Sequence, residues 1–276
     1  MNTKLENLGV LGNCLIVQSK DVKIGIALDF GIRISYLSFK DSENLFFVQP
    51  AEMTDLSTKE GWRVRGGHRL WIAPESEKHY YPDNAPVSYE IVGETVVIRQ
   101  PEDPWLKIEK IIEITFVKDD LVKVEHKVKN TDALTRRFSP WAITNFSGGG
   151  EVVINLPVRE GGFNPLMRYS TWDYANLGDE RVEFSREGIK IKHFPNGKKF
   201  KLGIGHPKLP IKYIKHGVVF EKTFDIFEDQ TYPDGDVSVE VYMCDYAVEI
   251  ESLSPLRNVT AGETVNHTEF WHLEKE

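Results

Sequence analysis

Alternation with a period of two runs through much of the chain. Val22, Ile24, Ile26, Leu28 and Phe30 alternate with Lys23, Gly25, Ala27 and Asp29. That pattern predicts a strand with one apolar face, because successive side chains of a strand point to opposite sides of its sheet. Leu106, Ile108, Ile112, Ile114 and Phe116 form a second such face. Asp119-Asp120 then predicts a hairpin turn, and Val122, Val124 and Val128 carry the return strand. The alternate positions hold Lys107, Glu109, Glu113, Lys123, Glu125 and Lys127, so one side of this hairpin meets water, as antiparallel sheets allow. Further strands are predicted over 8–17, 90–99, 151–156, 188–194, 215–220 and 267–273, with a pair beginning at Val237 and Tyr246. Turn signals separate these runs: 40–44, Pro82-Asp83-Asn84, Gly148-Gly149-Gly150, Pro195-Asn196-Gly197 and Pro233-Asp234-Gly235. Only 176–185 is a candidate for a short helix. Many strands without alternating helices predict an all-β chain, a large antiparallel β-sandwich. No repeat, low-complexity tract or linker divides residues 1–276, so a single domain is expected.

Composition narrows the function. Hydrophobic residues at 41% and charged residues at 28% supply a core and a solvated surface, which excludes intrinsic disorder. The net charge of −8 opposes phosphate backbones, so no nucleic-acid partner is expected, although one small basic pocket remains compatible with it. No apolar run reaches the ~20 residues that span a bilayer, so no membrane partner is expected. Gly9, Gly12 and Asn13 interrupt the only stretch resembling a signal core. A cytoplasmic location is therefore expected, and the sequons at Asn145, Asn258 and Asn266 read as chance matches. Cys14 and Cys244 form neither a disulfide framework nor a zinc motif.

The densest polar and aromatic segment is 61–75, which contains Trp62, Arg65, Gly66, Gly67, His68, Arg69, Trp71 and Glu75. It reads as a turn-rich loop. Arginine offers a planar fork of donors for vicinal hydroxyls, carboxylates or phosphates, and tryptophan offers an apolar plate. Structural arginines and core tryptophans explain the same residues equally well. In 246–255, Glu249 and Glu251 would share one face of a strand; an ordinary solvated face is the simpler reading of that pattern. The stretch 138–146, with Trp141, reads first as a buried strand and second as a pocket wall. Gly148-Gly149-Gly150 lacks the Lys-Ser/Thr of a phosphate loop, and neither HExxH nor GxSxG occurs. No cofactor and no metal are expected.

Taken in order, several motifs resemble the galactose mutarotase-like superfamily, and within it an uncharacterised bacterial family of aldose 1-epimerase and hexose-6-phosphate mutarotase relatives. They are Gly31-Ile32-Arg33-Ile34, Glu43-Asn44-Leu45-Phe46, Arg65-Gly66-Gly67 with His68-Arg69-Leu70-Trp71, Ser139-Pro140-Trp141-Ala142, the stretch from Glu249 to Pro255, and Ala261-Gly262-Glu263. The resemblance implies a large β-sandwich with a carbohydrate site. It also implies a glutamate base at the anomeric hydroxyl and a histidine acid at the ring oxygen. Glu251 matches the base. The family's central histidine has no counterpart between Trp141 and Phe146, which leaves His68 as the substitute acid. Arg65, Arg69, Trp62, Trp71, Glu75 and Trp141 are then expected to bind a monosaccharide or sugar phosphate, in a monomer or homodimer. Two readings follow: a mutarotase using Glu251 with His68, or a noncatalytic carbohydrate-binding or sugar-sensing module. A polysaccharide-active enzyme is a third.

Overall fold

The computed structural model describes residues 1–53 and 61–276. Among these, regular structure is almost entirely strand, in two large antiparallel sheets. The first sheet has eleven strands, ten of them in the order β1 (Asn2–Asn7), β2 (Asn13–Gln18), β3 (Val22–Ala27), β4 (Arg33–Phe39), β5 (Gly67–Ala73), β10 (Arg136–Ser147), β19 (Ala247–Leu253), β18 (Val239–Met243), β15 (Phe200–Ile204) and β12 (Tyr169–Thr171). The eleventh, β20 (Arg257–Val259), pairs with the start of β10. The second sheet has ten strands, in the order β13 (Val182–Phe184), β14 (Gly188–Lys192), β11 (Glu151–Asn155), β16 (Lys208–Lys215), β17 (Val218–Phe224), β21 (Thr264–Lys275), β9 (Leu121–Asn130), β8 (Ile108–Lys118), β7 (Thr95–Asp103) and β6 (Ser88–Val92). The expected antiparallel sandwich is thus present.

The apolar faces read from the sequence meet between the sheets. Ile24, Ile34, Leu70 and Ile250 of the first sheet belong to one core with Ile112, Val124, Phe220 and Trp271 of the second. The charged face of the β8–β9 hairpin lies outside, where Lys127 pairs with Glu113 at 2.6 Å. Such surface pairs contribute ~0–1 kcal/mol, so this face serves solubility more than stability.

Several local expectations need correction. The strand expected over 8–17 is broken by the helical turn Gly9–Leu11 before β2, that over 90–99 spans the hairpin between β6 and β7, and that over 215–220 spans the turn between β16 and β17. The segment 61–75 is not all loop, because Gly67–Ala73 is the fully buried strand β5. No helix occupies 176–185; its only regular element is the short edge strand β13. The Pro233-Asp234-Gly235 turn is as expected, with left-handed φ values of 52° at Asp234 and 86° at Gly235.

β5 and β19 are buried along their whole length. One face of each packs into the core between the sheets. The other is covered from outside: Trp62 and Tyr80 pack on Trp71, Trp141 and Leu253. This outer cover creates the walls of a cleft.

Candidate functional site

Register decides which side chains share the cleft. Across the centre of the first sheet, Arg69 of β5 lies opposite Ile143 of β10, Ile143 opposite Glu251 of β19, and Glu251 opposite Glu240 of β18. One residue along, His68 lies opposite Thr144, and Thr144 opposite Ile250. Because facing alternates along a strand, Arg69 and Glu251 share one side and His68 takes the other.

The outer side holds a cleft of about 460 Å³. Trp62, Trp71 and Tyr80 form one wall, Trp172, Tyr174 and Tyr242 the other, and Trp141 lies on the floor strand β10. Two polar groups sit among these rings. In the first, Arg69 Nη1 approaches Glu249 Oε1 at 3.1 Å, and Asn145 Nδ2 donates a hydrogen bond to the same oxygen at 2.7 Å. The Arg69 guanidinium lies 4.5 Å from the centre of the Trp71 ring, a cation–π arrangement.

In the second group, Lys201 Nζ lies 2.7 Å from Glu240 and 3.2 Å from Glu251, while Trp141 Nε1 donates to Glu251 at 2.8 Å. Lys201 also approaches the rings of Trp141 and Trp172, at 4.8 and 4.6 Å. Lys201 fronts the cleft, with the two carboxyls behind it. Burial pushes the Glu251 and Glu240 pKa values up, against the pull of Lys201. Burial opposes the Lys201 charge, yet Glu251 and Glu240 override it and raise the lysine pKa.

Several buried polar atoms in these groups have no hydrogen-bond partner: Arg69 Nε, Asn145 Oδ1 and Glu251 Oε1. Burying such an atom costs ~1–3 kcal/mol.

Of the residues expected at the site, Trp62, Arg69, Trp71, Glu75 and Trp141 line the cleft. Glu75 is exposed at its edge and accepts a short hydrogen bond from the Tyr80 hydroxyl. Glu251 stands behind the lining, 1% exposed. Arg65 is elsewhere: its guanidinium covers the Phe30 ring at 3.8 Å beside a separate small pocket. The left-handed backbone at Arg65, φ 54°, directs it away from the strand that carries Arg69.

The expected pairing of His68 with Glu251 is corrected by the register. His68 is fully buried between the sheets. Its neighbours there fix its protonation. His126 Nδ1 faces the His267 carbonyl at 2.9 Å and must donate to it. His126 Nε2 is therefore an acceptor, and His68 Nε2 donates to it at 2.7 Å. His68 Nδ1 then accepts from the Thr144 hydroxyl at 2.9 Å, which in turn accepts from Lys222 at 2.6 Å. Lys222 is ion-paired with Glu269 at 2.8 Å. Burial lowers the His68 pKa well below the usual imidazole value. His68 is thus a neutral member of the core. Among the described residues, no histidine lines the cleft.

His68, His126 and Glu269 bring three metal-ligating atoms within 4.8 Å of one another. A cation there would meet the Lys222 ammonium and break the hydrogen bond joining the two rings. The donor set therefore suits a closed hydrogen-bond network rather than a metal.

Sequence reasoning passed over Lys201, Glu240, Asn145, Trp172, Tyr174 and Tyr242. Lys201 and Glu240 occupy strands whose inner faces are apolar, so a charge at an outward position resembles ordinary surface. Nothing local in the sequence signals that this particular outer face is covered.

No protein-family model matches this sequence, and no curated protein does. Solved structures do resemble it. A galactose mutarotase-like protein from Lactobacillus casei is 13% identical, with a TM-score of 0.59 over 95% of this chain and 100% of that one. A galactose mutarotase related enzyme from Lactobacillus acidophilus is 11% identical, with a TM-score of 0.54 over 95% of this chain and 97% of that one. A TPR-domain containing protein from Parabacteroides distasonis is 13% identical with a TM-score of 0.62; 96% of this chain aligns, but it spans only 47% of that longer protein. At these identities the likeness concerns backbone architecture. The two-sheet topology and these neighbours together establish that the chain has the galactose mutarotase-like fold.

Proposed function

We propose that this protein binds a carbohydrate in the cleft on the outer face of the first sheet. The observation that carries the reading is two ion-paired polar groups set among aromatic rings: Arg69 with Glu249, and Lys201 with Glu240 and Glu251. Sugars present apolar C–H faces and rings of hydroxyls. Tryptophan and tyrosine plates suit the faces, and ion-paired donors and acceptors suit the hydroxyls. The galactose mutarotase-like fold of the chain supports the same reading.

The test is titration of the purified protein with neutral aldoses, their 6-phosphates and their oligomers, followed by calorimetry and tryptophan emission. Saturable heat with an emission change is expected. A complete panel without binding would overturn the reading.

Anomer exchange is a second reading, favoured by the position of Glu249. This carboxylate fronts the cleft beside Arg69, where it can accept the anomeric proton. Among the described residues no histidine lines that space, and Lys201 is one of three cations that do, with Arg69 and Lys199. Saturation-transfer NMR on a bound sugar measures the exchange directly. Glu249→Gln should lower its rate by about 10²- to 10⁴-fold. A wild-type protein that binds a sugar and accelerates nothing would leave the binding function alone standing.

A further inference from the structure

The cleft floor is wider than one sugar ring. It runs from β5, which carries Arg69, across β10, β19 and β18 to β15, which carries Lys201. Four strand spacings of ~4.8 Å separate those two backbones, or about 19 Å; the side chains lean inward, with the Trp71 and Trp141 ring centres 5.6 Å apart and Lys201 Nζ 4.8 Å from the Trp141 ring, and Trp172 lies on the far side of Lys201 at 4.6 Å. A pyranose ring, built from single bonds of ~1.5 Å, covers about one such spacing.

The lining is duplicated along that length. At the β5 end Arg69 lies over Trp71, and Trp62 packs beside Tyr80 with ring centres 5.2 Å apart. At the β15 end Lys201 lies against Trp172. Each end also has its own cation among the lining residues: Arg69 at one and Lys201 at the other. Exposed Glu75 and exposed Lys199 stand among the lining residues, so the cleft wall reaches solvent.

We propose that the ligand of this cleft is an oligosaccharide of at least two residues, with one sugar at the Arg69–Trp71 end and another at the Lys201–Trp172 end. The inference rests on the carbohydrate reading and adds the substrate class to it. One ring fills one of the two ends and leaves the aromatic plate and cation of the other end unengaged. A second ring engages it without a second loss of translational and rotational freedom, so affinity rises steeply from one residue to two.

Calorimetric titration with gluco-, manno- and galacto-configured saccharides of one to four residues tests this. Within the series that binds, affinity is expected to rise at least tenfold from the monosaccharide to the di- or trisaccharide and then level off. Trp172→Ala removes a half-buried ring at the β15 end. It should abolish most of that rise, read as the ratio of di- or trisaccharide affinity to monosaccharide affinity in the same variant. Equal affinity for one residue and for four, or a rise that persists unchanged in Trp172→Ala, would overturn the inference and leave the carbohydrate reading intact. Absence of binding at every length would remove both.

Discussion

Single side chains in this cleft hold charge in a way that reaches beyond ligand binding. Lys201 lies within 3.2 Å of two buried carboxyls, Glu240 and Glu251. Removing one partner of a buried ion pair typically costs about 3–5 kcal/mol, because the remaining charge stays desolvated. Lys201→Met should therefore destabilise the protein by roughly that amount at neutral pH, measured by urea unfolding. The loss has a defined pH dependence. Without Lys201, burial holds the folded-state pKa values of Glu240 and Glu251 still further above their unfolded values. A raised carboxyl pKa imposes its full penalty above the folded value and none below the unfolded one, near 4.5. The difference between variant and wild type should shrink as pH falls toward 4.5. A deficit that stays constant across that range would show that the lysine acts through packing alone.

At the scale of elements, β5 decides what the cleft contains, and two glycines decide where β5 begins. Gly66 and Gly67 have φ values of 82° and 70°. A Cβ on Gly66 would fall 2.0 Å from the Phe47 carbonyl oxygen, and one on Gly67 would fall 2.4 Å from that of Ile34. Arg33 holds the same corner, donating to the carbonyls of Val64 and Gly66 at 3.3 Å each. Close backbone approach here sets the register that sends Arg69 and Trp71 outward and His68 inward. Gly66→Ala should lower stability by at least ~1–3 kcal/mol, the usual cost of a forced backbone conformation. It should also weaken saccharide binding more than a surface variant of equal stability does. Unchanged melting and binding would show that the corner relaxes freely. The Arg-Gly-Gly motif was visible in the sequence as a candidate ligand loop. Its structural use differs: the glycines allow strand packing, and Arg65 turns away. A polar and aromatic strand with both faces buried breaks the period-two pattern, which is why β5 read as loop.

Across the whole molecule, the two sheets are joined by polar contacts inside an otherwise apolar core. His68 of the first sheet meets His126 of the second. Ser252 of the first meets His267 and Glu269 of the second, at 2.6 and 2.5 Å. Burial lowers the His267 pKa to about 3, and lowers those of His68 and His126 as well. A histidine depressed in the folded state adds stability in full above its unfolded pKa, near 6.5, and loses it as pH falls toward the folded value. The melting temperature should therefore decline from pH 7 toward pH 4, beginning above the range where exposed carboxylates titrate. His267→Gln, which cannot take the charge, should flatten the upper part of that decline. A melting temperature independent of pH between 7 and 5 would refute the assignment of neutral histidines.

Patterns that depend on a residue and its near neighbours were legible in the sequence alone. The alternation at Val22–Ala27, Ile108–Lys118 and Leu121–Asn130 records a sheet with one face on the core, and the turn residues between runs record antiparallel return. Clustered aromatic and charged groups marked Trp62, Arg69, Trp71 and Glu75 as site or structural residues alike, Trp141 read first as a buried strand residue, and the family resemblance made all five expected binding residues; all five line the cleft. What the tertiary structure alone decided was facing and cover. His68 and Arg69 are adjacent in sequence, and the pleat sends them 180° apart, one into a closed histidine network and one into the cleft. Lys201, Glu240 and Trp172 come from three separate segments and converge only because β15, β18 and β19 lie side by side, with the end of β12 close by. Local pattern fixes which residues alternate; the pairing of distant strands fixes which alternate face is buried, against what, and beside which charges.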